Sequence, residues 1–183
     1  MKNIGTRIAT IVGIAVVALG IASSSAVASP DNTDYADQAQ ELGLSRAEAA
    51  KLQSKVDGYL AKLGGKQVGI NKIEIPGAVL LVPLPGEKGA RDLDDPSIQS
   101  HECPYKYFCA YGDSYYYGTK LMMFNCINYP MPFAGLGSYI NNQTPHTIAR
   151  FKDQDFVVID NSGPATWGEP YYDWTPVYWI KPC

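Results

Sequence analysis

All four cysteines of this chain, Cys103, Cys109, Cys126 and Cys183, fall in its last 81 residues, and 19 of its 21 aromatic side chains fall there too. Whether those cysteines are staples, metal ligands or nucleophiles decides what the segment can fold into, and the redox compartment decides between them. The other end of the chain supplies the compartment. Lys2 and Arg7 form a basic leader, Ile8 to Ile21 is an uncharged apolar run, and Ala26-Val27-Ala28 is a small-residue cleavage box. The apolar run is too short to span a bilayer. Residues 1–28 therefore read as a signal peptide, the mature chain as secreted and extracellular with no membrane contact, and the cysteines as two disulfides. No C-x-x-C pair occurs and the only histidines are His101 and His146, so a cysteine zinc site is not expected.

Removing the leader lowers the formal charge from -3 to about -5. A mild acidic excess argues against nucleic acid as a partner, because phosphate binding needs basic patches. Three connectivities are open to four cysteines. Cys103–Cys109 closes a short local loop and leaves Cys126 for Cys183. A hairpin turning near Tyr115 would instead bring Cys103 to Cys126 and send Cys109 to Cys183.

Composition changes near residue 100. Residues 29–44 read as a mobile lead-in. The segment 45–84 begins with Ser45 and Glu48 at capping-box spacing, followed by Leu52, Val56, Leu60 and Leu63 at helical intervals and by Gly64-Gly65 as a stop. A helix is predicted over about Arg46 to Leu63. The runs "QVGINKIEI" and "AVLLVPL", separated by Pro76-Gly77, read as two strands of a hairpin. Residues 85–102 are rich in charge, glycine and proline and read as a linker or exposed loop, with Arg91 a solvated basic residue and proteolytic nicking there the lesser alternative. From 103 to 183 the pattern is short strands between Gly, Pro and Asn turns, which predicts a mainly β sandwich.

Within that region, "FCAYGDSYYYGTK" sets Tyr111, Tyr116 and Gly118 at a defined spacing. A strand ending at Tyr111 would lead into a folded turn where Gly118 takes positive φ and the Tyr116 ring stacks over the backbone. This spacing resembles the Greek-key signature of the βγ-crystallin superfamily. With "CPYKYFCAY" before it and "GSYINNQT", containing Ser138, after it, the chain resembles the secreted actinobacterial proteins of peptidase inhibitor family I36. The resemblance implies a βγ-crystallin-like Greek-key sandwich that is not an enzyme and blocks an extracellular protease through a rigid surface loop. Its cysteine pattern implies the Cys103–Cys109 and Cys126–Cys183 pairing. A second Greek key is expected to be degenerate or displaced toward "TWGEPYYDW", because Phe151 and Phe156 repeat the aromatic spacing but Val158 stands where glycine belongs.

No cofactor is expected. The calcium motif of βγ-crystallin domains ends in two hydroxyl residues, whereas "NNQTPH" and "DNSGPA" place Pro145, His146, Pro164 and Ala165 there. Neither histidine has an apparent nucleophile, and Asp153 and Asp155 read as solvated loop acids. Leu121 to Ala149 contains no charged residue. Candidate protease-contact loops are therefore Tyr105, Lys106 and Tyr107 in the short cysteine-bracketed loop, and Tyr129, Met131 and Phe133 in the apolar loop, with Tyr115 and Tyr117 at the hairpin. The rival expectation is a non-catalytic envelope module that stacks cell-wall polysaccharide on Tyr115, Tyr117, Tyr171, Tyr172 and Trp174. The sequence leaves the oligomeric state open.

Overall fold

The computed structural model describes residues 32–183, and the signal peptide read over residues 1–28 lies outside the described residues. Two helices open the fold, α1 (Asn32–Glu41) and α2 (Arg46–Leu63). The capping box forms as expected: Ser45 Oγ accepts from Glu48 N, and a Glu48 carboxylate oxygen accepts from Ser45 N at 2.9 Å. Leu52 and Val56 are buried, and Gly64 and Gly65, both at positive φ, end the helix.

The lead-in expected before α2 is instead α1. Its sequence, NTDYADQAQE, has no apolar stripe, so tertiary bonds hold it. Tyr35 and Ala39 are buried, the Tyr35 hydroxyl donates to Gln67 O at 2.8 Å, and Gln38 Oε1 accepts from Ile70 N at 2.9 Å. The run expected as one strand, "QVGINKIEI", is itself a hairpin of β1 (Lys66–Gly69) and β2 (Lys72–Ile75), turned at Ile70-Asn71. Asn71 is buried and its amide donates to the carbonyls of Val82 and Arg91, which makes a polar turn stable inside the fold. With β3 (Ala78–Leu81) the segment is a three-stranded meander.

Eight further strands follow: β4 (Tyr107–Tyr111), β5 (Lys120–Met123), β6 (Tyr129–Pro130), β7 (Leu136–Asn142), β8 (Arg150–Lys152), β9 (Val158–Asn161), β10 (Trp167–Asp173) and β11 (Trp179–Lys181). They make a mainly β protein of two antiparallel sheets, ordered β1-β2-β3-β5-β4-β7-β10 and β6-β11-β8-β9. In each of the units β4–β7 and β8–β11 the third strand leaves its own sheet. β6 joins the smaller sheet beside β11, and β10 joins the larger sheet beside β7. The two units are thereby sewn together through backbone hydrogen bonds.

One buried cluster fills the space between the layers. It runs from Leu52 and Val56 of α2 through Ile73 and Leu80 to Phe108, Tyr139, Phe151 and Trp174. The aromatic members meet mostly edge to face, as at Phe151 and Trp174, 5.5 Å between centroids at 78°. Trp174 Nε1 donates to Tyr111 O at 2.9 Å, and Gly137 beneath it has no room for a side chain, since a Cβ there would strike both the indole and that carbonyl. β3 pairs with β5 from Ala78↔Met123 to Leu81↔Lys120, so the segments 45–84 and 103–183 share one sheet and one core.

Residues 85–102 form a strap over the outer face of the larger sheet rather than a free linker. Gly89 bridges Gly118, Ala90 is buried beside Tyr111 and the Cys103–Cys109 pair, and buried Asp92 pairs with Lys72 at 2.9 Å. The Arg91 carbonyl accepts from Asn71 and its side chain pairs with Glu87 at 2.9 Å. Charged composition suited solvent, but here Asp92 and Asp94 both pair with Lys72 of β2, while Glu87 and Arg91 pair with each other within the strap. Two disulfides, Cys103–Cys109 and Cys126–Cys183, close the chain, with Cα separations of 5.8 and 5.5 Å. They point to an oxidising environment. Among the described residues no helix is long and apolar enough to cross a membrane.

Candidate functional site

The aromatic-rich hairpin is built from the bottom up by its backbone. Gly118 takes φ 76°, and a Cβ on it would lie 2.7 Å from the Asp113 carboxylate, so the turn requires glycine. Tyr116, at φ 65°, sets its ring against Tyr111 with centroids 5.7 Å apart. Ser138 Oγ, from β7, accepts from Tyr116 N at 2.8 Å and donates to Asp113 O at 2.7 Å. Tyr111, Tyr116, Gly118 and Ser138 are thus brought together as a structural corner. Burial holds the Tyr111 hydroxyl well above the usual phenol range, and it donates to Glu102 O at 3.0 Å.

The second hairpin repeats this corner forty residues on. Phe156 sits at φ 63°, where Tyr116 sits at 65°, and Asp153 N donates to Val157 O as Asp113 N donates to Tyr117 O. Phe156 stacks on Trp179 of β11, 4.6 Å away, instead of on Phe151. Asp153 Oδ1 accepts from the Asp155 and Val157 amides, so this acid braces the turn.

The cysteine-bracketed loop is the exposed and constrained element. Tyr107 N donates to Pro104 O at 3.1 Å, closing a β-turn whose third residue, Lys106, takes φ 77°. Lys106 N donates to Asn142 O at 2.7 Å, Asn142 Nδ2 donates to Cys103 O at 2.8 Å, and the Cys103–Cys109 bridge closes the base. Tyr105 is 58% exposed at the tip, while Tyr107 is half-buried against Phe124, with centroids 5.3 Å apart. The loop is presented outward with little freedom left.

The apolar loop behaves differently. Tyr129 and Phe133 are buried, and the Tyr129 hydroxyl donates to Gly77 O at 2.6 Å. Phe133 meets Tyr59 of α2 edge to face at 6.2 Å, and Met131 is half-buried with its amide on Tyr178 O. Packing accounts for these buried rings, while Phe124, Ile127, Leu136 and Ile148 of the same charge-free stretch are exposed. The five aromatics of the polysaccharide expectation are also divided. Trp174 is core, and Tyr172 is half-buried with its hydroxyl on Asp160 at 2.9 Å. Tyr117 lies over Gly89 of the strap. Only Tyr115 and Tyr171, 54% and 50% exposed, form a surface ring pair, 4.6 Å apart. Sequence periodicity carried no signal for this division, because it depends on α2 and the strap lying over particular strands.

Asn141, first of the calcium-motif candidates, is buried, and its amide donates to Thr147 O, Ser162 Oγ and Gly163 O while its Oδ1 accepts from Gln143. Among the described residues no three His, Cys, Asp or Glu side chains converge as metal ligands. Added calcium is therefore expected to leave the melting temperature unchanged, because binding would first have to break this network. A saturable calcium titration in the micromolar range, read by calorimetry, would contradict that. No protein-family model matches this chain, and no curated protein or solved structure matches it either.

Proposed function

We propose that this is a secreted, βγ-crystallin-like Greek-key protein of the peptidase inhibitor type, which blocks an extracellular protease with the Pro104–Tyr107 turn. The exchange of β6 and β10 between the two units supports the Greek-key reading, as do the paired corners at Tyr116 and Phe156. The observation that carries the functional reading is the exposed Tyr105-Lys106 tip, fixed by a disulfide and three backbone-directed hydrogen bonds. A tip already held in one shape loses little entropy on binding. The positive φ of Lys106 departs from the extended chain that a protease cleaves, so the turn plugs the cleft and resists hydrolysis.

The experiment is inhibition of a panel of serine and metalloproteases by the oxidised protein. Tyr105→Ala is expected to weaken inhibition of a susceptible enzyme by roughly 30-fold or more, the loss typical of a buried aromatic anchor. Lys106→Gly keeps the turn, since glycine accepts positive φ, and isolates the side chain's share. Tyr171→Ala, on the remote ring pair, is expected to have no effect. Absence of inhibition across the panel, with saturable binding to insoluble cell-wall or chitin fractions that Tyr115→Ala or Tyr171→Ala abolishes, would replace this reading with the polysaccharide-binding one.

A further inference from the structure

At the far end of β4 from the Pro104–Tyr107 turn, an open cavity of about 360 Å³ lies between α2, the first corner and the loop after β6. Lys55 and Tyr59 reach it from α2, Asp113 and Thr119 from the corner hairpin, and Phe133 with Pro132 from the loop. Four polar side chains thus converge from two elements far apart in sequence. None of the four makes a side-chain hydrogen bond to another described residue, and Lys55 and Asp113 are not ion-paired with each other or with any other described residue. Lys55 and Asp113 are exposed at the cavity's rim, Tyr59 is half-buried and Thr119 is buried at its base. A cation and an anion held apart across one cavity, with two hydroxyls beside them and an apolar wall behind, are complementary to a ligand that carries both charges.

We propose that this cavity binds a zwitterion of amino-acid or dipeptide size bearing an apolar side chain. Its carboxylate meets the Lys55 ammonium and its ammonium meets the Asp113 carboxylate. Tyr59 and Thr119 supply hydroxyls for the remaining oxygens, and the side chain lies against Phe133 and Pro132. Gly118 helps shape the cavity, since a Cβ there would displace the Asp113 carboxylate. The site needs both the helical segment and the β-rich region, and it is separate from the Tyr105 turn, so its failure leaves the inhibitor reading standing.

The test is calorimetric titration of the intact oxidised protein with L-phenylalanine and with glycyl-phenylalanine, followed by their N-acetylated and C-amidated forms. At least one free zwitterion is expected to bind saturably, and either block is expected to weaken it roughly tenfold or more. Lys55→Met should erase the distinction between the free acid and the amide, and Asp113→Asn the distinction between the free amine and its acetyl form. Near-UV circular dichroism checks that each variant is folded, and amide shifts of Gly112, Gly118 and Thr119 report the place of binding in the unaltered chain. The proposal is overturned if neither zwitterion binds in the millimolar range, if blocked and free forms bind alike, or if a neutral sugar such as N-acetylglucosamine shifts the same amides equally well.

Discussion

A chain from which Ser29–Pro96 has been deleted is expected not to fold. The deletion strips β3 from β5 along four register pairs, turning an interior strand into a bare edge beside apolar Leu121 and Met123. It also removes Leu52, Val56, Ile73 and Leu80, all buried in the same cluster as Phe108 and Phe151. Full burial of such side chains stabilises by about 1.5–3 kcal/mol each, so four of them match the total stability of an ordinary domain, about 5–15 kcal/mol. The strap contacts of Ala90 and Asp92 go with them. The expected result is loss of near-UV circular dichroism and of a cooperative urea transition. Leu80→Ala in the full chain is the graded version, with an expected loss of about 2–5 kcal/mol. A shortened protein that melts at the unaltered temperature would make the helical segment an appendage or a removable propeptide.

The particular residues show which parts of this arrangement could be read in advance. Ser45, Glu48 and the Gly64-Gly65 stop act within one helix and its ends, so spacing alone placed α2 to the residue. The corner at Tyr111, Tyr116 and Gly118 is likewise local, needing only a positive-φ glycine and a ring within reach. α1 was invisible because nothing in NTDYADQAQE prefers a helix over solvent until Gln67 and Ile70 provide bonds from 32 residues away. β10 carries a weak strand signal, since Gly168 and Pro170 lower strand propensity, and it forms as an edge strand, where proline is tolerated. The strap was misread for a related reason: charge in a sequence signals exposure only when no opposite charge or carbonyl waits on the sheet beneath it. For the functional surface, local spacing marked the cysteine-bracketed turn, but only three-dimensional packing separated the exposed Tyr105 from the buried Phe133.

Lys120 is a fully buried lysine, and its burial gives stability a distinctive pH dependence. Its side chain is fully buried on β5, and its ammonium donates to Gln99 O at 2.7 Å and Glu102 O at 3.0 Å, with the Tyr111 ring 5.8 Å away. Among the described residues no carboxylate pairs with it directly. Burial pulls the ammonium down to about 8, against the opposing influence of the Glu102 and Asp92 charges. In the unfolded chain the same lysine titrates near 10.4. Between those two values the unfolded state binds more protons than the folded state, so stability rises with pH across that window, by up to about 3 kcal/mol in all. Above pH ~10 the sign reverses, because Tyr111 and Tyr172 stay protonated in the fold after unfolded tyrosines have ionised. The expected profile of urea-derived stability therefore climbs from pH ~8 towards pH ~10 and then falls. Lys120→Met should flatten the climb while leaving the fall, whatever its effect on stability at neutral pH. A wild-type profile that is level or descending from pH ~8 to ~9.5, or a climb that persists in Lys120→Met, would show that this amine keeps its proton in the fold across that range, the Gln99 and Glu102 carbonyls then offsetting the cost of its burial.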